Sequence, residues 1–134
     1  MSDGAPEPRV GCGAAILRGR EVLLIKRLTE PEAGAWGLPG GKVDWREAVA
    51  HATLREIEEE LGIRIELGPL LGVLDMIDPD GRYHWVSPIY RVERFAGEPR
   101  ILEPHKHGGL GWFALDALPA PLTMAARFAA DRLA

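Results

Sequence analysis

The sequence predicts an α+β fold in which helices cover a mixed β-sheet. Three observations predict it. Segments with strand character outnumber helical ones, in the order β-β-loop-α-β-β-β-α. The first helical segment repeats apolar residues at helical spacing on one side, so that side is built to pack on a sheet. The chain has 134 residues, which suits one compact domain with a sizeable core.

In chain order, residues 1–8 read as a disordered lead containing Pro, Gly and Glu, and a single domain is expected over 9–134. "VGCGAAIL" (10–17) and "EVLLIKR" (21–27) are strands, and the "RGR" between them makes a hairpin. Residues 28–41 are rich in Gly and Pro and read as a loop. A helix is expected from about Asp44, because Asp44 and Glu47 have capping-box spacing. Its apolar stripe is Ala50, Leu54, Ile57 and Leu61. Residues 65–77 give one or two strands, and "DPDG" (78–81) a turn, since Pro and Gly preset its dihedrals. Residues 83–95 alternate and form a strand, and 96–111 are extended or loop. "WFAL" is a short strand, "DALP" a turn, and 122–134 a helix of strong formers.

Composition narrows the function. A net charge of -4 excludes a protein that coats nucleic acid, which would be basic. A nucleotide partner is still open, because a metal can supply positive charge locally. No apolar run approaches the ~20 residues needed to span a bilayer. The N-terminus lacks the basic and apolar regions of a signal peptide, which predicts a cytoplasmic protein. The one cysteine, Cys12, reads as a small buried residue on a strand.

The stretch from Gly41 to Ile63 holds five glutamates, four of them within Glu56–Glu60. At about 100° per residue, Glu56, Glu59 and Glu60 share one side of a helix, and Glu58 points elsewhere. Like charges at i, i+4 are unfavourable. Anions near a helix C-terminus are unfavourable too. A solvated acidic face and a cation site both fit this pattern, and oxygen ligands of this kind suit Mg²⁺ or Mn²⁺.

These residues carry a family resemblance. Gly41 to Ile63 matches G-x5-E-x7-R-E-U-x-E-E-x-G-U, with U a bulky aliphatic, at every position. Seven fixed positions would arise by chance on the order of once in 10⁸ starts. The segment resembles the signature of the Nudix (MutT-like) hydrolases, and "GLPGG" and the hairpin before it look similar too. The resemblance implies the Nudix fold, an α/β/α sandwich around a mixed sheet. It implies metal-dependent pyrophosphohydrolase activity on a nucleoside diphosphate-x. Glu56, Glu59 and Glu60 match the metal-ligand and base glutamates, with Glu59 a ligand or the residue that positions water. The backbone carbonyl of Gly40 or Gly41 is a further ligand by the same resemblance. Glu47 and Arg55 match an ion pair tying loop to helix; capping by Glu47 is the simpler reading of the same residue. Gly41 and Gly62 are structural. Mg²⁺ is the implied cofactor, with Mn²⁺ a substitute, and family members often dimerise.

Downstream, "EPHKHGGLGWFALDALP" (103–119) resembles the nucleoside triphosphate pyrophosphatases within the family, especially a human member of that group. So do "YHWVSPIY" and "GAWGLPGGKVDWRE". By that resemblance Glu103 is an added ligand or base, and Lys106 a phosphate contact. The bland alternatives are a loop acid and a solvated lysine. Trp36 and Trp112 are candidate stacking surfaces for a base, with Trp112 better suited to a core and Trp36 open. The chain departs from the group at Leu110, where the group has tryptophan. The predicted reaction is a nucleoside triphosphate cut to the monophosphate and pyrophosphate. Pro79, 16 residues past the signature, is a spacing seen in ADP-ribose pyrophosphatases, so ADP-ribose or another nucleotide sugar is the alternative substrate. A nucleotide-binding module without activity is the non-enzyme alternative. His105 and His107 form an H-x-H in a loop, a weak metal signal. His84 faces solvent or a cleft.

Overall fold

The computed structural model describes residues 6–133. Residues 1–5 of the expected lead lie outside that range, and 6–8 are exposed without regular structure. Strand β1 (Arg9–Arg18) is followed by β2 (Glu21–Arg27), β3 (Trp36–Gly37) and β4 (Gly40–Lys42). Helix α1 (Val49–Leu61) comes next, then β5 (Arg64–Glu66), β6 (Leu70–Ile77), β7 (His84–Val92) and β8 (Arg94–Ala96). Strand β9 (His107–Ala114) and helix α2 (Met124–Leu133) complete the described chain. The main sheet has the order β3-β2-β1-β7-β6, with β4 also on β1 and β9 on β2. Strands β1 and β7 run parallel, while β1–β2, β6–β7 and β2–β9 are antiparallel, so the sheet is mixed.

The side-chain alternation of a strand builds two cores at once. On β1, Ala14 and Ile16 face one side and Ala15 and Leu17 the other. Strand β2 does the same with Leu23 and Ile25 against Val22 and Leu24. The first side packs on Ile57 and Leu61 of α1, the second on Ala126 and Ala129 of α2. Fully burying an Ile or Leu is worth about 1.5–3 kcal/mol, so both central strands are pinned from two faces. Among the described residues, no helix is long and apolar enough to cross a membrane.

Four expectations change. The helix starts at Val49, five residues after Asp44. The Asp44–Glu47 pair forms a turn instead: Glu47 N–H reaches the Asp44 carbonyl at 3.0 Å, and Asp44 N–H reaches Glu47 Oε1 at 3.0 Å. The apolar stripe is also rotated. Ala50 and Leu54 are exposed, and the buried face is Ala52, Thr53, Ile57, Glu60 and Leu61. Glu60 therefore sits in the buried face, where the sequence pattern placed it away from it. Next, β9 begins at His107, where it pairs with Arg27 of β2; a Cβ at Gly109 would meet the Trp36 ring at 2.8 Å, so glycine lets the strand lie there. The 83–95 strand divides after Val92, and β8 leaves the main sheet to pair with β5. Its Phe95 packs on the first core and stacks on Trp112 at 5.7 Å between ring centroids.

Candidate metal and nucleotide site

The site forms where the β4 loop, the last turns of α1 and the segment before β9 meet. Helix α1 ends at Gly62, whose φ of 70° is left-handed and whose N–H reaches the Glu58 carbonyl at 2.9 Å. Glycine adopts that conformation without the Cβ penalty. Two carbonyls of the last turn would otherwise lack partners. Leu102 N–H takes the Glu60 carbonyl and Arg100 N–H the Leu61 carbonyl, each at 3.1 Å. These bonds strap residues 100–102 across the helix end and bring Glu103 to it. The Glu103 carbonyl accepts the N–H groups of Lys106 at 2.9 Å and His107 at 3.1 Å, which turns the chain into β9.

Glu60 points into this corner. Its Oε1 accepts the Gly40 N–H at 2.8 Å, and its Oε2 lies 3.1 Å from His107 Nε2. Donor atoms of Glu60, Glu103 and His107 all lie within 4.8 Å of one another. Glu56 lies against Gly41 so closely that any Cβ there would collide with its carboxylate. Burial raises the Glu56 carboxyl above its usual range, Arg55 opposes that, and the Glu60 charge adds to it. Burial likewise pushes the Cys12 thiol up; Cys12 is buried on β1.

On the outer side, Arg55 gathers the remaining acids. Its Nε and Nη2 bind both oxygens of Glu47 at 2.7 and 2.8 Å. Its Nη1 reaches Glu56 at 3.0 Å and Glu59 at 3.2 Å, and Nη2 reaches the Lys42 carbonyl at 3.2 Å. Arg55 pulls the Glu47 carboxyl down to about 2, and Glu47 raises the guanidinium in return. Glu58 points away, 3.7 Å from Arg64. Lys106 Nζ lies 3.6 Å from Glu103 Oε2.

Next to Gly40 and Gly41 a cleft of about 260 Å³ opens, lined in part by Leu38, Met76, Trp85, Ser87 and Thr123. Trp36 and Trp112 do not line it. Trp36 packs edge-on against Phe113 at 5.0 Å, and Trp112 packs on the first core with Arg18 at 4.2 Å over its ring. A larger hollow of about 580 Å³ lies at the β6–β7 turn and is not lined by Gly40 or Gly41, so the smaller cleft, which those two glycines line, is the one beside the acids. Pro79 belongs to that turn, closed by Gly81 N–H on the Asp78 carbonyl at 2.9 Å.

The sequence did not single out His107, Trp85, Met76 or Ser87 for this corner. The H-x-H spacing was visible, but nothing in it shows that only His107 turns inward. The donor set fits a divalent cation. Carboxylates crowd together, Glu60 and His107 are buried, and among the described residues Glu60 has no lysine or arginine partner. A buried carboxylate left so calls for a cation.

A family model, NUDIX domain, matches residues 7–133. The solved structure of a MutT NUDIX hydrolase from Burkholderia pseudomallei is 59% identical, with a TM-score of 0.94, covering 96% of this chain and 100% of that one. An ADP-ribose pyrophosphatase of Methanocaldococcus jannaschii is 36% identical over 84% of this chain and 65% of its own length, so this chain spans about two thirds of that relative. A CTP pyrophosphohydrolase of Escherichia coli is 33% identical over 84% of this chain and 81% of its own.

Proposed function

The chain belongs to the NUDIX family, and from that premise we propose that it is a metal-dependent pyrophosphohydrolase acting on a nucleoside triphosphate. The observation that carries the reading is the meeting of Glu60 with Glu103 and His107, with Glu56 against Gly41, beside a cleft lined by Gly40 and Gly41. A bound Mg²⁺ or Mn²⁺ would cancel phosphate charge and make water more acidic. Glu56, Glu60 and Glu103 are the side chains that would hold it, with the Gly40 carbonyl. Glu59, the most exposed of the three signature glutamates on that side, would position water or accept its proton. Lys106 stands beside Glu103 and can meet a phosphate oxygen. Arg55 and Glu47 hold the loop on the helix so that these acids keep their places.

The cleft supplies the nucleotide end. Trp85 and Met76 offer ring and thioether surface to a base, since every base presents a flat face. Trp85 thus takes the part that the sequence offered to Trp36 or Trp112. The resemblance of 103–119 to triphosphate pyrophosphatases and the similarity to a CTP pyrophosphohydrolase support a triphosphate. The similarity to an ADP-ribose pyrophosphatase favours the second reading, a nucleotide sugar; Pro79 in its turn adds little to it.

A panel of nucleoside triphosphates and ADP-ribose, incubated with Mg²⁺ and resolved by chromatography, tests the reading. The monophosphate and pyrophosphate are the expected products. ADP-ribose cleaved far faster than every triphosphate would reverse the ranking, and no cleavage of any compound would leave a binding module.

A further inference from the structure

We propose that His107 is a positioning residue for Glu60: its Nε2–H is donated to Glu60 Oε2 and holds that carboxylate turned toward Glu103. The inference rests on the reading of Glu60 as a cation ligand. Both residues are 5% exposed, and the two atoms are 3.1 Å apart. The other ring nitrogen decides the tautomer. His107 Nδ1 is buried and has no partner among the described residues. A proton there would be a donor with no acceptor, whereas a bare lone pair is the lesser loss. The proton therefore belongs on Nε2, the nitrogen that faces Glu60.

The arrangement gives each Glu60 oxygen one donor from a different element. Gly40 N–H of the β4 loop holds Oε1, and His107 of β9 holds Oε2. A carboxylate accepts about four such contacts in all, so positions remain for a cation. Both donors orient the carboxylate, and neither comes from a lysine or an arginine. Arg55 does the opposite to Glu59, answering its charge at 3.2 Å. His107 also starts at the turn that carries Glu103, whose carbonyl accepts the His107 N–H. One residue thereby sets the spacing of two acids from separate parts of the chain.

Mn²⁺ titration followed by electron paramagnetic resonance, without substrate, tests this on the full chain. His107→Leu removes the donor, while His107→Gln keeps an N–H close to the Nε2 position. His107→Leu is expected to weaken Mn²⁺ binding about 10-fold or more, as loss of a group supporting a metal ligand does. His107→Gln is expected to stay within about threefold of the unaltered protein, because its amide can still donate. Equal Mn²⁺ affinity in His107→Leu, or equal loss in both variants, overturns the donor role. Pulsed resonance showing an imidazole nitrogen bound directly to Mn²⁺ also overturns it, since His107 would then be a ligand. Nitrogen-15 NMR of the unaltered, metal-free protein reads the tautomer and stands even if His107→Leu fails to fold. A proton on Nε2 supports the proposal, and a proton on Nδ1 alone contradicts it. If the unaltered protein binds no Mn²⁺ at all, the metal reading of the preceding section falls first and this inference with it.

Discussion

Glu59 and Glu60 are adjacent in the chain and sit in opposite settings. Glu59 is half exposed, with Arg55 3.2 Å away. Glu60 is buried, held by a backbone N–H and approached by a histidine. The outer acid has its charge answered by a guanidinium that is also bound to Glu47 and Glu56. The inner acid is oriented, with Glu103 beside it and no lysine or arginine partner among the described residues. Water screens the outer group and does little for the inner one. The inner corner is thus where a cation gains most, and the outer acid is the more exposed one, open to a water molecule and suited to moving a proton.

The sharpest way to break this comparison is to remove one charge at a time. Glu60→Gln and Glu59→Gln are each expected to lower kcat by about 10²–10⁴-fold, the range for a lost ligand or acid–base group. Their melting points should part. In metal-free protein Glu60→Gln leaves one acceptor oxygen for two buried donors, Gly40 N–H and His107 Nε2–H, and melts lower than the unaltered chain. Glu59→Gln leaves the melting point nearly unchanged. Identical melting behaviour in the two variants would erase the distinction between inner and outer acids.

The rotated helix face gives the next largest effect. Ile57 is 0% exposed and Leu54 38%. Ile57→Ala should cost about 2–5 kcal/mol of stability, and Leu54→Ala well under half of that, because a partly exposed side chain gives up less. Denaturant unfolding of the two variants measures both. Equal losses would restore the stripe of Ala50 and Leu54 that spacing alone suggested.

Smaller still is a pH effect on the outer cluster. Arg55 lowers the Glu47 carboxyl from 4.5 to about 2 in the folded protein. A group lowered on folding contributes stability that is present above its unfolded value and lost as pH falls through the folded one. The melting-point advantage of the unaltered protein over Glu47→Gln should hold above about pH 5 and fade between about pH 4.5 and 2. An advantage that grows on acidification contradicts the pairing. The smallest effect belongs to Glu58, which lies outside both acid groups at 3.7 Å from Arg64. Glu58→Gln should leave kcat and stability near those of the unaltered chain, within about 0.5 kcal/mol.

Much of this was legible in the sequence because it depends on local pattern. The hairpin of β1 and β2, the turn at Asp78–Gly81 and helix α2 follow from alternation, turn residues and helix formers. The shared side of Glu56, Glu59 and Glu60 follows from helix geometry alone. Contacts between distant segments were not legible. The Gly-Pro loop of 28–41 hides β3 and the start of β4, since both are short and held by β2 and β1 rather than by their own residues. Glu60 reads as surface by composition, yet Gly40 and His107, 20 and 47 residues away in sequence, draw it inward. The capping spacing at Asp44 marked a real turn but not the helix start, because both of its hydrogen bonds form equally well in an isolated turn.

The central claim is that these acids act through a divalent cation, and one measurement meets it directly. Turnover of the best triphosphate is followed in excess EDTA and then with Mg²⁺ or Mn²⁺ restored. The account predicts that hydrolysis stops in EDTA and returns with either cation. Full turnover in EDTA would contradict it, and would leave the Glu56, Glu60 and Glu103 corner without its assigned purpose.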